Sequence, residues 1–409
     1  MPFEDVIIAG HGSAVQRLPL QAGEEPKSTV RLINEATRVA LEMADIDRRQ
    51  VDALFTHRSP GGDTFNQWSQ KLVAELKIAP KSSTAITNHG GGLLSGLKYG
   101  ALLLERGLAN YVLILSGDAS PVMLRDLVLQ TANIEADLHF EAPYGPITPA
   151  LYAQFGQRFV YEHGIKEEDL AQVCVDLRAN ALQHPEATMR SKGPLTVEQV
   201  MASPMIASPN RLLHCAPFYK GSRAGAVLLT RAENNINPDG SATYVRALGE
   251  TVTHEHVIGR FGLGGFGPWK ERPNVTVSGA YAAAQQAYEF GGFGPDDVDV
   301  VSSSVPFAFH VMMILEDLGL CERGGSAEFV ARGGLRAKGG PGSPLILPNG
   351  GSLSFGQSAI NCIMDALLEG IQQLDGTALG LKAPDATRAL VHAHGGVMAC
   401  NTVALLEKK

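Results

Sequence analysis

Apolar positions along the chain follow two alternating patterns. Short unbroken runs, among them Val6-Ile7-Ile8-Ala9, Val112-Leu113-Ile114-Leu115 and Ala226-Val227-Leu228-Leu229, alternate with stretches in which apolar residues recur three and four apart. The runs predict buried strands and the spaced stretches predict helices. In order, the pattern gives a strand over 6–12, a helix over 29–44 and a strand over 51–55. A helix over 68–76, a strand over 83–87, a helix beginning near Leu93 and a strand over 111–118 follow. Leu32, Ala36, Val39, Ala40 and Met43 share one face of the first helix, and Glu105-Arg106-Gly107 ends the third. Strands with little period-two alternation, interleaved with helices, predict a parallel sheet covered on both faces.

Between about residues 118 and 217 the alternation lapses. Proline-rich pieces and helical segments at 150–163, 167–182 and 197–202 predict a long excursion over the core. Insertions of this kind commonly carry a substrate-binding surface. Residues 224–230 return as a core strand, and then the order begins again. A strand over 244–249, a helix over 281–290, a strand over 298–301, a helix over 359–374 and closing strands over 388–396 and 402–406 are expected. A shift of 247 positions carries Ala36, Ala40 and Val51-Asp52 onto Ala283, Ala287 and Val298-Asp299, with the preceding loops in step. Gly350-Gly351-Ser352 stands before the late helix as a mirror of the glycine turn in the first half. A repeat too long for a solenoid predicts two copies of one α/β unit. The expected division is 1–120 and the return strand 218–235 as the first half, 121–217 as an inserted loop domain, and 240–409 as the second half.

Chemistry concentrates first in Asn88-His89-Gly90-Gly91-Gly92-Leu93-Leu94-Ser95, where a strand turns into a helix. Amides at a helix N-terminus favour negative charge, and glycine lets a ligand approach the backbone closely. A tight turn needed only for helix packing is the plainer reading of the same residues. A strand–turn–helix often presents a nucleophile at its tip, and this tip offers neither Cys nor Ser.

Composition narrows the function classes. The 409 residues are 44% hydrophobic and 19% charged, with a formal net charge of −8. That balance argues against phosphate-backbone binding, so no nucleic-acid partner is expected. Apolar runs are broken well short of a membrane span, and Met1-Pro2-Phe3-Glu4-Asp5 is acidic where a secretion signal is basic. The five cysteines, Cys174, Cys215, Cys321, Cys362 and Cys400, are scattered and form no C-x-x-C pair. A soluble cytoplasmic protein without a disulfide framework or metal ribbon is expected.

The segments Thr196-Val197-Glu198-Gln199-Val200 and Ile206-Ala207-Ser208-Pro209-Asn210-Arg211-Leu212-Leu213-His214-Cys215-Ala216-Pro217, with Leu315-Glu316-Asp317-Leu318-Gly319-Leu320-Cys321, resemble the thiolase superfamily. The likeness is to its sterol-carrier-type, acetyl-CoA acyltransferase-like branch, and it runs over nearly the whole chain. It implies an α/β thiolase-like fold: two βαβαβαββ halves forming a five-layered αβαβα core with an inserted loop domain. It also implies a homodimer and an acyl-CoA substrate, with coenzyme A entering as part of the substrate and no bound cofactor.

The catalytic signatures of thiolases are exchanged. His89 or Gly90 stands where they keep a cysteine, Gly356-Gln357-Ser358 replaces Gly-His-Pro, and Pro306-Phe307-Ala308-Phe309 replaces Asn-Glu-Ala-Phe. The last cysteine of the usual set falls near Ala393, between His392 and His394. Thioester exchange needs an activated thiolate, which this pattern does not supply at the turn. The branch of thiolase-like aldolases that cut sterol side chains also lacks that cysteine. His89-Gly90-Gly91-Gly92 and Gly145-Pro146-Ile147-Thr148-Pro149-Ala150 resemble its motifs. Those enzymes act on β-hydroxyacyl-CoA thioesters and work with a small OB-fold partner bearing a zinc ribbon. Gln357 stands where one of their tyrosines is expected.

A retro-aldol cut needs a base for the β-hydroxyl proton and amide donors for the thioester oxygen. Gly90, Gly91 and Gly92 are the candidate donors, and Gln357 is counted with them among the thioester-binding positions. The candidate bases are His254 and His256, then His310, then His392 and His394, whose i, i+2 spacing on a strand puts them on one face. His89 is a further catalytic candidate, or a turn cap. Thr253-His254-Glu255-His256 offers H-x-H rather than H-E-x-x-H and no third ligand, so no metal is expected. Lys220 with Arg223 is read as a CoA-phosphate or partner contact, or as solvated charge. An acyltransferase with a rearranged base set and a silent acyl-CoA-binding subunit remain alternatives to the lyase.

Overall fold

A computed structural model of the chain describes residues 3–57, 66–118, 136–262, 275–336, 339–340 and 342–409. Twelve strands and twelve helices are labelled among the described residues. The strands are β1 (Val6–Arg17), β2 (Ala53–His57), β3 (Ser82–Ile86), β4 (Val112–Asp118), β5 (Met205–Ala207), β6 (Asn210–Arg211), β7 (Gly221–Arg231), β8 (Thr243–Val252), β9 (Val300–Ser303), β10 (Leu345–Ile346), β11 (Arg388–Gly395) and β12 (Cys400–Lys408). The helices are α1 (Thr29–Met43), α2 (Trp68–Leu76), α3 (Gly92–Glu105), α4 (Thr148–His163), α5 (Glu167–Gln183), α6 (Val197–Met201), α7 (Val257–Gly262), α8 (Gly279–Gly291), α9 (Ala308–Asp317), α10 (Ser326–Ala331), α11 (Gly351–Phe355) and α12 (Cys362–Asp375). None is long and apolar enough to cross a membrane.

Ten of the strands run β10-β9-β11-β12-β8-β1-β7-β4-β2-β3. Cut between β8 and β1, the order is the same five-strand pattern twice. In each half an inner strand, β2 or β9, pairs in parallel with two neighbours, and the remaining pairs are antiparallel. The halves meet through two residue pairs, Ile7 with Tyr244 and Ile8 with Thr243.

Both faces of β2, β4, β7, β9 and β11 are buried, and alternate residues enter different layers. Val112 and Ile114 of β4 join the central core, while Leu113 and Leu115 join the outer layer under α1 and α2. In the second half Ala389 and Val391 face the central core and Leu390 faces the layer of α8 and α9. Between the two five-strand halves lie α3 and α12, with Leu93, Leu94, Leu97, Ile363, Leu367 and Ile371 in one apolar cluster. Each buried leucine there contributes about 2 kcal/mol. The layering is αβαβα.

The repeat reproduces contacts as well as order. A methyl on Gly12 of β1 would come within 2.3 Å of the Ala36 carbonyl, and one on Gly249 of β8 within 1.9 Å of the Ala283 carbonyl. The same close crossing of helix on strand therefore needs glycine and alanine in both halves. Asp52 accepts from the Asn110 amide at 2.8 Å, and Asp299 accepts from the Thr387 and Arg388 amides at 2.8 and 3.0 Å. Each aspartate fastens the chain where the next parallel strand of its half begins.

The mirror of the glycine turn is not Gly350-Gly351-Ser352. Gly350 has φ 91° and begins the short α11, packed so closely on α5 that a methyl would meet Ala181 at 2.5 Å. The counterpart is the 3-10 turn Ala359–Asn361, which leads into α12 as the turn His89–Gly91 leads into α3. Between β4 and β7 the described residues carry α4, α5, α6 and the β5–β6 hairpin. The Ala216 amide donates to the Pro306 carbonyl at 2.8 Å, which ties the end of this segment to the approach to α9.

Candidate functional site

Ligands of open α/β sheets bind beyond the carboxyl ends of parallel strands, and the chain's polar cluster lies there. Ser303 ends β9 and Ser304 follows it, and His392 and His394 lie at the end of the adjacent parallel strand β11, His392 opposite Ser303. Both imidazoles share the face of Leu390, which turns toward α9 and the inserted helices. Their rings stack 19° from parallel with centroids 6.1 Å apart. His310, on the first turn of α9, meets His394 edge-on at 4.5 Å. Tyr152 of α4 closes the group, 5.9 Å from His310 and 6.0 Å from His394 between ring centroids.

Hydrogen bonds fix two of the three imidazoles. His394 donates from Nε2 to the Ser304 carbonyl at 2.9 Å, which leaves Nδ1 as the acceptor facing the Tyr152 hydroxyl at 3.3 Å. His392 accepts from Ser303 Oγ at Nδ1 (2.8 Å) and donates from Nε2 to Asn401 Oδ1 at 3.1 Å. The Asn401 amide donates in turn to the Met398 carbonyl. His310 is fully buried, and among the described residues neither ring nitrogen has a hydrogen-bond partner. Burial pushes His394 down to about 3 and His392 down to about 4; it lowers His310 well below the ordinary histidine value, helped by His394 and His392. All three are neutral at pH 7. His310 alone has both a free acceptor nitrogen and a free N–H to offer.

The glycine turn is pressed against this group. A methyl on Gly90 would lie 2.0 Å from the His394 carbonyl oxygen, and one on Gly91 2.6 Å from Cys400 Sγ. Only glycine lets the start of α3 approach β11 and β12 this closely. Of His89 the structure describes the backbone, in the turn; its side chain lies outside the described residues.

Gln357 comes to the same place from α12's side. Its Nε2 donates to Cys362 Sγ at 3.2 Å, Cys362 lies 3.3 Å from Ser304 Oγ, and Gln357 Oε1 is buried without a partner. The backbone of Gln357 is held by Pro217 and Tyr219 at 2.7 and 2.9 Å. Behind it, Asp365 accepts from Ser358, Asn361 and Arg223. Arg223 also donates to Glu186 and Tyr219, and its guanidinium lies 4.9 Å from the Tyr219 and Phe355 rings. The reading of Arg223 as a phosphate contact or solvated charge is thereby corrected. It is a buried strut behind the Gln357 turn, while Lys220 is exposed.

The structure thus brings His310, His394, His392, Gly90, Gly91 and Gln357 together. His254 stands apart, packed on Phe155 at 5.8 Å, one turn of α4 beyond Tyr152, with Thr253 Oγ1 at 2.7 Å from its Nδ1. Burial pushes it down to about 4. His256 faces Asp137 at 3.8 Å and Glu255 at 3.6 Å and is partly exposed. Tyr152, Ser303, Ser304 and Asn401 were not singled out by sequence pattern. Tyr152 sits in a helix whose other inward residues, Leu151, Phe155 and Phe159, are plain core. The run Ser302-Ser303-Ser304 at the end of an apolar strand was the available signal.

Two five-strand halves around a pair of buried helices define a thiolase-type fold. Residues 268–408 match the thiolase C-terminal domain-like family. An acetyl-CoA acetyltransferase of Methanocaldococcus jannaschii is 29% identical over 87% of this chain and 86% of its own length. A steroid side-chain-cleaving aldolase of Thermomonospora curvata is 25% identical over 91% of both chains. Among solved structures, an Ltp2-ChsH2(DUF35) aldolase superposes with a TM-score of 0.77 at 23% identity, covering 98% of this chain and 97% of that one. Residues 268–408 thus resemble a thiolase C-terminal domain, and the chain as a whole is similar to acyl-CoA enzymes of the thiolase superfamily.

Proposed function

We propose that the protein is a carbon–carbon lyase of retro-aldol type acting on a β-hydroxyacyl-CoA. The observation that carries this reading is the unpartnered imidazole of His310, buried edge-on against His394 beside a glycine turn without a thiol. A ring nitrogen of His310 takes the β-hydroxyl proton. Amides of Gly90, Gly91 and Gly92 hold the thioester oxygen as the enolate forms. The enolate's negative charge offsets the burial that otherwise keeps His310 neutral. The relative named for steroid side-chain cleavage and the aldolase fold neighbour support the reading.

An acyltransferase is the second reading, favoured by the relative named acetyl-CoA acetyltransferase and by Cys400 lying against Gly91. Against it, burial pushes both Cys400 and Cys362 up to about 12. At pH 7 both are held as thiols rather than as the thiolates an acyl transfer needs. A homodimer and a small OB-fold partner complete the proposal, the latter in keeping with the two components in the aldolase neighbour's name.

The test supplies β-hydroxyacyl-CoA thioesters to the chain, alone and with an OB-fold partner, and identifies products. A ketone or aldehyde plus a shorter acyl-CoA supports the lyase. CoA-dependent thiolysis of a β-ketoacyl-CoA, without cleavage of the hydroxy compound, establishes the transferase instead. CoA binding with neither product leaves a silent subunit.

A further inference from the structure

The Tyr152 side chain is nine-tenths and more buried, its ring lying 4.7 Å from that of Phe307. The next inward aromatic residues of α4, Phe155 and Phe159, serve the same core as hydrocarbons, so packing alone does not call for a hydroxyl at 152. The hydroxyl instead meets His394 Nδ1. That nitrogen is held as an acceptor because Nε2–H is committed to the Ser304 carbonyl.

We infer that Tyr152 is a second proton-transfer group of the site, its hydroxyl aligned by His394 Nδ1 and set beside the unpartnered ring of His310. The inference rests on the lyase reading and supplies the step it leaves open, protonation of the enolate. The β-hydroxyl proton passes to His310, and the O–H electron pair becomes the new C=O bond. The Cα–Cβ pair moves onto the α-carbon, which takes the proton of the Tyr152 hydroxyl. The phenolate then recovers a proton from the His310 imidazolium. The substrate's own proton has moved from oxygen to carbon, and nothing else is consumed.

Exchange of α-hydrogen on acetyl-CoA and propionyl-CoA in D2O, followed by mass spectrometry, isolates this step from the carbonyl partner. The full chain, with any co-purifying partner, is expected to introduce deuterium at the α-carbon of the thioester. Tyr152→Phe keeps the ring against Phe307 and is expected to slow exchange and cleavage by about 10²-fold, with KM within about threefold. A thermal melt of the variant matching the parent separates this loss from unfolding. Exchange by Tyr152→Phe at the parental rate overturns the role of Tyr152 and leaves the lyase standing. A parent protein that neither exchanges nor cleaves overturns the lyase, and this inference with it.

Discussion

His310 and His394 meet edge to face at 4.5 Å, one held through both ring nitrogens and the other through neither. A buried polar group left unpaired costs about 1–3 kcal/mol, whereas an apolar group of similar size does not. His310→Leu is therefore expected to melt at or above the parental temperature while losing about 10²–10⁴-fold in kcat. His394→Leu strips the Ser304 carbonyl of its donor and is expected to lose about 1–3 kcal/mol as well as activity. Melting curves and cleavage rates on the same samples separate the two residues.

The glycine turn makes a different kind of prediction. Gly91→Ala would drive a methyl into Cys400 Sγ, an atom that Cys400→Ala removes. The double variant is expected to regain about 1 kcal/mol or more of the stability that Gly91→Ala loses, read from a urea double-mutant cycle. Gly90→Ala meets the backbone carbonyl of His394, so no side-chain change relieves it, and it is expected to be the worse of the two single variants.

His256 lies beside Asp137 and Glu255, away from the imidazole cluster. His256→Ala is expected to change the cleavage rate by about threefold or less, the usual scale of a surface substitution. A steady-state rate on the variant checks this.

The repeat was legible because it rests on contacts with narrow requirements. Ala36 and Ala283 are small because glycine-bearing strands cross them, and Asp52 and Asp299 recur because each receives amides at a strand start. His392 and His394 could be placed on one face by strand periodicity, and their rings do stack. The convergence of Tyr152, Ser304 and His310 on His394 was not legible. Those residues come from an inserted helix, a strand end and a different helix, and their sequence separations from His394 are 242, 90 and 84. Pattern also paired the wrong glycines, since Gly350 answers to α5 and the α12 turn itself contains none.

Acid stability follows from the buried ionisable groups. Burial lowers His184, His214, His254, His310, His392 and His394, so the unfolded chain binds more protons than the folded one as pH falls below about 6.5. Their contribution to stability is present above the unfolded value and lost toward pH 4. Burial raises Glu369 to about 7 and Asp317 to about 6, which has the opposite sign over the same window. Burial raises Asp176 as well, and six imidazoles outweigh three carboxyls. The melting temperature is expected to fall steadily between pH 7 and pH 5, each net proton worth about 1.4 kcal/mol per pH unit. A melting temperature that rises over that interval would mean the imidazoles are not buried as described.

If the site works through imidazoles and backbone amides as proposed, the substrate is never held covalently on sulfur. Intact-protein mass spectrometry, on samples acid-quenched while a β-hydroxyacyl-CoA is being turned over, reads this directly. The expected result is an unmodified mass alongside a growing carbonyl product. An acyl adduct on Cys174, Cys215, Cys321, Cys362 or Cys400, formed at the rate of turnover, would contradict it.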